Sequence, residues 1–206
     1  MGVLLPHRNQ IDRTQVLAAA LRIADRSGPD SISMRGVAAE VGVAPMSLYH
    51  HVRDRDELLD GMVDHLLGEL PDVAIAGVPW RSRLRALFSA LRLLAHTHRR
   101  TFPLVLRYPD SPQLIRLRTT GAAAIADAGV PVGHIARTEG VIWTLVLGFV
   151  TREALGQFRD QGPGGADRMA SAVLAAVEHH VIWVVADPVR AHRDDPELEW
   201  TLPVHE

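Results

Sequence analysis

Apolar positions in the first seventy residues fall into four short groups, each with helical spacing. Ile11, Val16, Leu17, Ala20, Leu21 and Ala24 recur on one helix face. Asp12 with Gln15 three residues on is a capping-box pattern at the start, and Gly28-Pro29 marks the end. A second group runs from Met34 to Val41 and stops at Gly42, where glycine can take the left-handed conformation that ends a helix. Pro45 suits the first position of the next helix, since its missing N–H would have no partner there. Val37, Val41, Val43 and Leu48 are spaced to pack inward and set the angle between these two helices. Ser47, Tyr49, His50 and His51 are then left outward on a helix about two turns long. Asp54 with Glu57 opens a fourth helix through Leu58, Leu59, Met62, Val63, Leu66 and Leu67, expected over residues 55–70. The second and third helices read as a helix-turn-helix, whose dominant use is to place a short helix in the major groove of DNA.

Residues 71–206 show the same period and no strand-like alternation. Residues 71–79 read as a linker with Gly77 between prolines. A helix follows over 80–99, with Leu84, Leu87, Phe88, Leu91, Leu94 and Ala95 on one face. A short segment over 102–107 precedes Pro109. The next helix opens at Ser111-Pro112, an N-cap followed by proline, and runs to about Asp127. Residues 133–158 form a long helix that is apolar nearly all round from Val141 to Val150. A glycine-rich loop over 161–165 leads to a last long helix over 166–186, halted before Pro188. The pattern predicts an all-α chain of about nine helices. Its expected organisation is a helix-turn-helix domain over 1–54, a connecting helix and linker over 55–78, a helical core over 79–187 and an extended, charged tail over 188–206.

Composition narrows the setting more than the chemistry. The chain has 206 residues, enough for a small reading domain and a larger core, and it has no cysteine. Disulfides and thiol chemistry are therefore excluded. The first six residues lack the basic start of a signal peptide, and the longest continuous apolar runs are too short to span a bilayer, so a soluble cytoplasmic protein is expected. The net charge is −2. A nucleic-acid interface must then be placed locally, by Arg8, Arg13, Arg35, Arg53 and Arg55, because no basic surplus exists. Every cation other than histidine is arginine, which suits bidentate contact with phosphate and guanine.

An outward helix face that carries a hydroxyl, a phenol and imidazoles, with no Lys or Glu, is suited to phosphates and base edges. The competing reading is a helical enzyme, or a ligand-binding protein without a DNA-binding role. The enzyme form needs a nucleophile, a base and an oxyanion donor in one pocket. No GxSxG, phosphate-loop or dinucleotide glycine pattern occurs, and the glycines at 162, 164 and 165 follow a helix rather than a strand. The eleven histidines do not form a metal site, because the pairs His50-His51, His96-His98 and His179-His180 diverge around their helices. No cofactor and no catalytic residue is expected.

The runs Met34-Arg35-Gly36-Val37-Ala38-Ala39-Glu40-Val41-Gly42-Val43, Ser47-Leu48-Tyr49-His50-His51-Val52 and Arg55-Asp56-Glu57-Leu58-Leu59-Asp60 resemble the N-terminal domain of TetR-type transcriptional regulators, near the tetracycline-repressor branch. The resemblance covers about a quarter of the chain. It implies a regulator, by default a repressor, that binds a palindromic operator as a homodimer and releases it when a small-molecule effector binds. Arg35, Pro45, Met46, Ser47, Tyr49 and His51 match the family's DNA-contacting positions; His50, Arg53 and Arg55 complete the candidate surface. Ala44 stands where the family often has Ser or Glu, so one polar contact is missing. The last two long helices are expected to pair with their copies, with Val141, Leu145, Val173, Val177 and Val181 in the interface. The expected ligand cavity is lined by Leu87, Leu91, Leu94, Phe102, Leu106, Ile115, Trp143, Leu147 and Val150. Counting from Trp80, the repressor's polar Asn and metal-binding His fall near Leu87 and Val105. The resemblance thus implies an apolar effector rather than a magnesium–tetracycline complex, and no bound metal.

Overall fold

The structure is a computed structural model that describes residues 11–71, 77–158, 162 and 164–187. The expected tail over 188–206, and Arg8, lie outside the described residues. Among those described there are eight α-helices and no strand: α1 (Arg13–Ser27), α2 (Met34–Val41), α3 (Pro45–Leu48), α4 (Arg55–Leu67), α5 (Trp80–Thr97), α6 (Pro112–Asp127), α7 (Val132–Ala154) and α8 (Gly165–Ala186). Two 3-10 segments, Pro29–Ser31 and Phe102–Arg107, complete them.

The first capping box and the Gly42 stop are built as read. The Asp12 carboxylate accepts the Gln15 N–H at 2.7 Å while the Gln15 side chain accepts the Asp12 N–H at 3.0 Å. Gly42 sits at φ 75° and ψ 33°. Its N–H reaches the Ala39 carbonyl and the Val43 N–H reaches Ala38 at 2.9 Å, the paired bonds of a Schellman stop. The second capping box is only half made. Asp54 accepts the Glu57 N–H at 2.8 Å, but the Glu57 carboxylate turns to Arg53, accepting its N–H at 2.8 Å and its Nε–H at 2.9 Å.

α1 and α4 cross closely. A β-carbon on Gly61 would lie 2.9 Å from Leu17 Cδ2 and 3.0 Å from an Arg13 nitrogen, so any larger residue makes those side-chain ends move at the crossing. α4 also packs on α6 and on the 102–107 segment, and α5, α6, α7 and α8 pack on one another. Buried apolar residues form one continuous cluster from Val16 to Val184. α3 is shorter than the expected two turns. Single turn bonds, His51 N–H to Leu48 at 2.8 Å among them, carry the coil on to Val52.

α8 departs from expectation in two ways. By length and composition it is a helix that could cross a membrane, although no continuous apolar run in it is long enough. It is also amphipathic in a way its sequence hides. Val173, Val177 and Val181, expected in a dimer interface, face the core of their own chain; Val177 is 3% exposed and Val181 fully buried. The exposed apolar side is made instead by Ile182, Trp183 and Val185, 40–44% exposed. Val141 and Leu145 on α7 lie outward as expected.

Candidate nucleic-acid interface and core cavity

The exposed side of the helix-turn-helix gathers Arg35, Pro45, Met46, Tyr49, His50 and Arg53, with Ser47 and His51 half-buried beside them. Met46 is 73% exposed and Tyr49 48%, while Leu48 between them is fully buried. That contrast fixes which side of α3 faces out. Solvating a thioether and a phenol on one short turn is not favourable by itself, so a partner surface is implied. No side chain caps α3, since Ala44 has nothing to offer its free N–H groups.

The cations of this surface differ in freedom. No hydrogen bond or ion pair holds Arg35 among the described residues. Arg53 is paired with Glu57, which draws the guanidinium up and holds the Glu57 carboxyl below its usual range, chiefly through its bond to the Arg53 backbone N–H. Arg55, although exposed, is tied to the preceding turn. Its Nε donates to the Ile32 carbonyl at 2.9 Å and its Nη2 to the Pro29 carbonyl at 3.1 Å. The residue expected to touch phosphate is thus a clamp between α4 and the turn that precedes α2. A second clasp joins α1 to α2: Arg26 and Arg22 both donate to Glu40. The Arg26 bond, foremost, holds the Glu40 carboxyl below its ordinary range.

Three polar contacts fasten α4 to the core. Asp64 Oδ1 accepts the Ser111 hydroxyl at 2.8 Å and the Gln113 N–H at 2.7 Å. Asp64 therefore caps α6, a role read for Ser111 itself from the sequence. The Tyr108 hydroxyl donates to Asp56 at 3.0 Å, and burial first, then that bond, raises the phenol. His98 on the end of α5 lies between Asp25 and Glu69. None of these pairs has a local sequence signature, because partners lie from 29 to 73 positions apart.

The core holds a narrow slit of about 20 Å³, lined by Leu84, Leu87, Phe88, Leu91, Gly121, Ile125, Ile142, Trp143, Val146, Leu174 and Val177. Leu87, Leu91 and Trp143 were expected there. The indole N–H is the one polar group in this lining. Trp143 is also a wall of an open groove of about 450 Å³ that includes Leu106 and Leu147. The other expected lining residues do not reach the slit. Leu94, Phe102 and Val150 are packed in the core elsewhere, and Leu106 and Ile115 are about half exposed. On the far side, Arg92 donates to Glu153 at 2.6 Å and to Asp167 at 2.5 Å. The Glu153 bond, foremost, drives the guanidinium well up. No group of three or more metal-ligating side chains occurs among the described residues.

Residues 16–62, covering α1 to α4, match the family model described as bacterial regulatory proteins, tetR family. An HTH-type transcriptional regulator from Saccharopolyspora erythraea is 26% identical over 152 residues, 73% of this chain and 64% of the relative. The HTH-type transcriptional repressor DrrR1 of Streptomyces coeruleorubidus is 40% identical over 85 residues, 41% of this chain and 32% of the relative. The chain thus spans less than two thirds of the length of these curated relatives. The crystal structure of BioQ with its natural double-stranded DNA operator matches with a TM-score of 0.64 and 26% identity, covering 80% of this chain and 99% of that one. Its first four helices carry the TetR-family pattern, and the fold resembles that of a solved TetR-type regulator. Within this TetR-type fold the exposed turn of α3, the stop at Gly42 and the start of α4 are the parts the family model spans. The Arg55 clamp and the Asp64 cap are contacts of the folded chain that the matched pattern does not itself announce.

Proposed function

We propose that this chain is a homodimeric, effector-responsive DNA-binding regulator that occupies a palindromic operator and leaves it when an apolar molecule enters its core. The observation that carries the reading is the outward face of α3: Met46, Tyr49 and His50 exposed together beside an untethered Arg35, with no acidic side chain among them. The solved BioQ complex, which holds its DNA operator, and the repressor name of DrrR1 support the same assignment. Repression is the direction proposed, in a cytoplasmic setting.

Dimerisation is supported by the outer faces of α7 and α8. Val141, Leu145, Ile182, Trp183 and Val185 are all exposed on the single chain. Two copies packed on this side would form a four-helix bundle and cover them. A two-fold pair would set the recognition turns about 34 Å apart, one turn of DNA. A membrane-inserted α8 is the competing use of that face. The buried side of α8 and its packing on α5 and α7 favour a bundle.

The path from core to DNA follows the contacts. The slit is far smaller than a ligand pocket of about 300 Å³ or more, so an effector must part α5, α6, α7 and α8 to enter. Gly121 and Ile125 place α6 on that wall. The start of α6 is capped by Asp64, so a shift of α6 pulls α4. α4 in turn holds the helix-turn-helix through Arg55 and the Gly61 crossing. The effector releases DNA to the extent that it binds the displaced state more tightly. A mobility-shift titration of DNA upstream of the chain's own coding region, with and without apolar candidates that raise the thermal midpoint, tests this. Retention of DNA at saturating effector would refute the coupling.

A further inference from the structure

His98 is a buried histidine held between two carboxylates from different parts of the fold. Its Nδ1 lies 2.7 Å from Asp25 Oδ2 on α1, and its Nε2 lies 3.2 Å from Glu69 Oε2, just past the end of α4. The other Asp25 oxygen accepts the Thr101 hydroxyl at 2.7 Å. The nearby cations are committed elsewhere: Arg26 to Glu40, and Arg100 to the Arg26 carbonyl. Arg99, in the turn after α5, reaches back to His96. Asp25 and Glu69 are thus the charged groups that face this imidazole.

Carboxylates only accept hydrogen bonds, and neutral imidazole has a single N–H. Both contacts can be hydrogen bonds only when the ring carries two protons. We infer that His98 is a proton-dependent positioning residue that locks the end of α4 to α1 and α5. With one proton lost, the remaining N–H stays with Asp25, the closer and more buried partner. A ring lone pair then faces the Glu69 carboxylate. Glu69 is about half exposed and can turn to water, whereas Asp25 keeps Thr101. The last turns of α4, closed by Glu69 N–H to Leu66 and Leu70 N–H to Leu67, lose their tie to α5. Imidazole is the side chain whose charge ordinarily changes between about pH 5 and 8, the window across which a proton-dependent tie is tested. α4 is the element through which the core is proposed to act on DNA. The DNA arm of the test rests on that reading, and the thermal arm does not.

Full-length parent, Glu69→Gln and His98→Gln are compared at about pH 6 and pH 8. Glu69 lies at the surface, so its variant keeps the test valid should His98→Gln fail to fold. The glutamine amide can donate to a bare ring nitrogen or accept from a protonated one, so Glu69→Gln removes the proton dependence and not the contact. The expected result is a thermal midpoint gap in favour of the parent at the lower pH that closes at the higher pH. An equal gap at both values overturns the lock. In the DNA arm, parent affinity for the upstream DNA shifts several-fold between the two pH values and Glu69→Gln affinity does not. Equal shifts in both chains overturn the link to DNA. A closing thermal gap with no DNA binding at either pH leaves the lock standing and refutes the DNA-binding reading instead.

Discussion

Replacing Arg55 separates two roles that the sequence leaves superposed. As a phosphate contact, its loss would cost affinity and lower the salt dependence of binding by about 0.9 per phosphate. The structure gives it different work. A cation at the first position of a helix is unfavourable against the helix dipole. Arg55 stays there because it reaches back to two carbonyls, Ile32 at 2.9 Å and Pro29 at 3.1 Å. Hydrogen bonds from charged groups contribute about 1.5–3 kcal/mol when sheltered. The Ile32 bond is partly buried and keeps most of that; the Pro29 bond is solvent-exposed and keeps little. Arg55→Ala should therefore destabilise the fold by about 2 kcal/mol, which for a chain of this size lowers the thermal midpoint by about 4–8 °C. Operator affinity should fall as α2 and α3 lose their fixed seat on α4, with an unchanged salt slope. Arg55→Lys should recover little, since one ammonium cannot bridge both carbonyls in the same fork. Calorimetry and filter binding over a salt series measure both quantities. An unaltered midpoint with a slope reduced by about one phosphate per subunit would refute the clamp and restore the phosphate role.

Tyr49→Ala, at the exposed face of α3, should weaken operator binding by about 1–3 kcal/mol in filter binding and leave the midpoint in place. Trp183→Asp would bury an unpaired carboxylate on each side of the proposed dimer at a cost of several kcal/mol, giving a folded monomer by sedimentation equilibrium that no longer binds its operator. Val177→Asp puts the same charge inside the chain's own core and should abolish folding, so circular dichroism distinguishes the two faces of α8. Gly121→Val should fill the slit, because a β-carbon there already lies 3.5 Å from Trp143 Nε1. Operator binding should survive in that variant and release by effector should fail in a competition titration.

The helix-turn-helix was legible because its signals are local. The Asp12–Gln15 box, the Gly42 stop and Pro45 each act within a few residues, and the structure builds all three. The orientation of α8 was not legible for a physical reason. Valines and alanines line both of its sides, so the apolar period cannot say which side meets its own core. In the fold Val173, Val177, Val181 and Val184 face inward, and Ile182, Trp183 and Val185 remain outside. The cavity was legible as a region but not residue by residue, since Ile115 and Leu106 share its helices while facing out. Arg55, Asp64 and His98 were missed as joints because their partners are distant in sequence, and a polar residue that pairs across the fold looks the same in sequence as one that meets water.

The central claim is that α3 reads DNA as part of a two-fold dimer, and a stoichiometric binding titration tests it most directly. The full-length chain is titrated into DNA upstream of its own coding region and into a shuffled duplex of equal length and composition. The account predicts two chains, or a multiple of two, per upstream duplex, with a dissociation constant near 10⁻⁸ M or tighter at physiological salt and binding to the shuffled duplex weaker by about a thousandfold or more. Equal, weak binding to both duplexes, or a single chain per site, would contradict it.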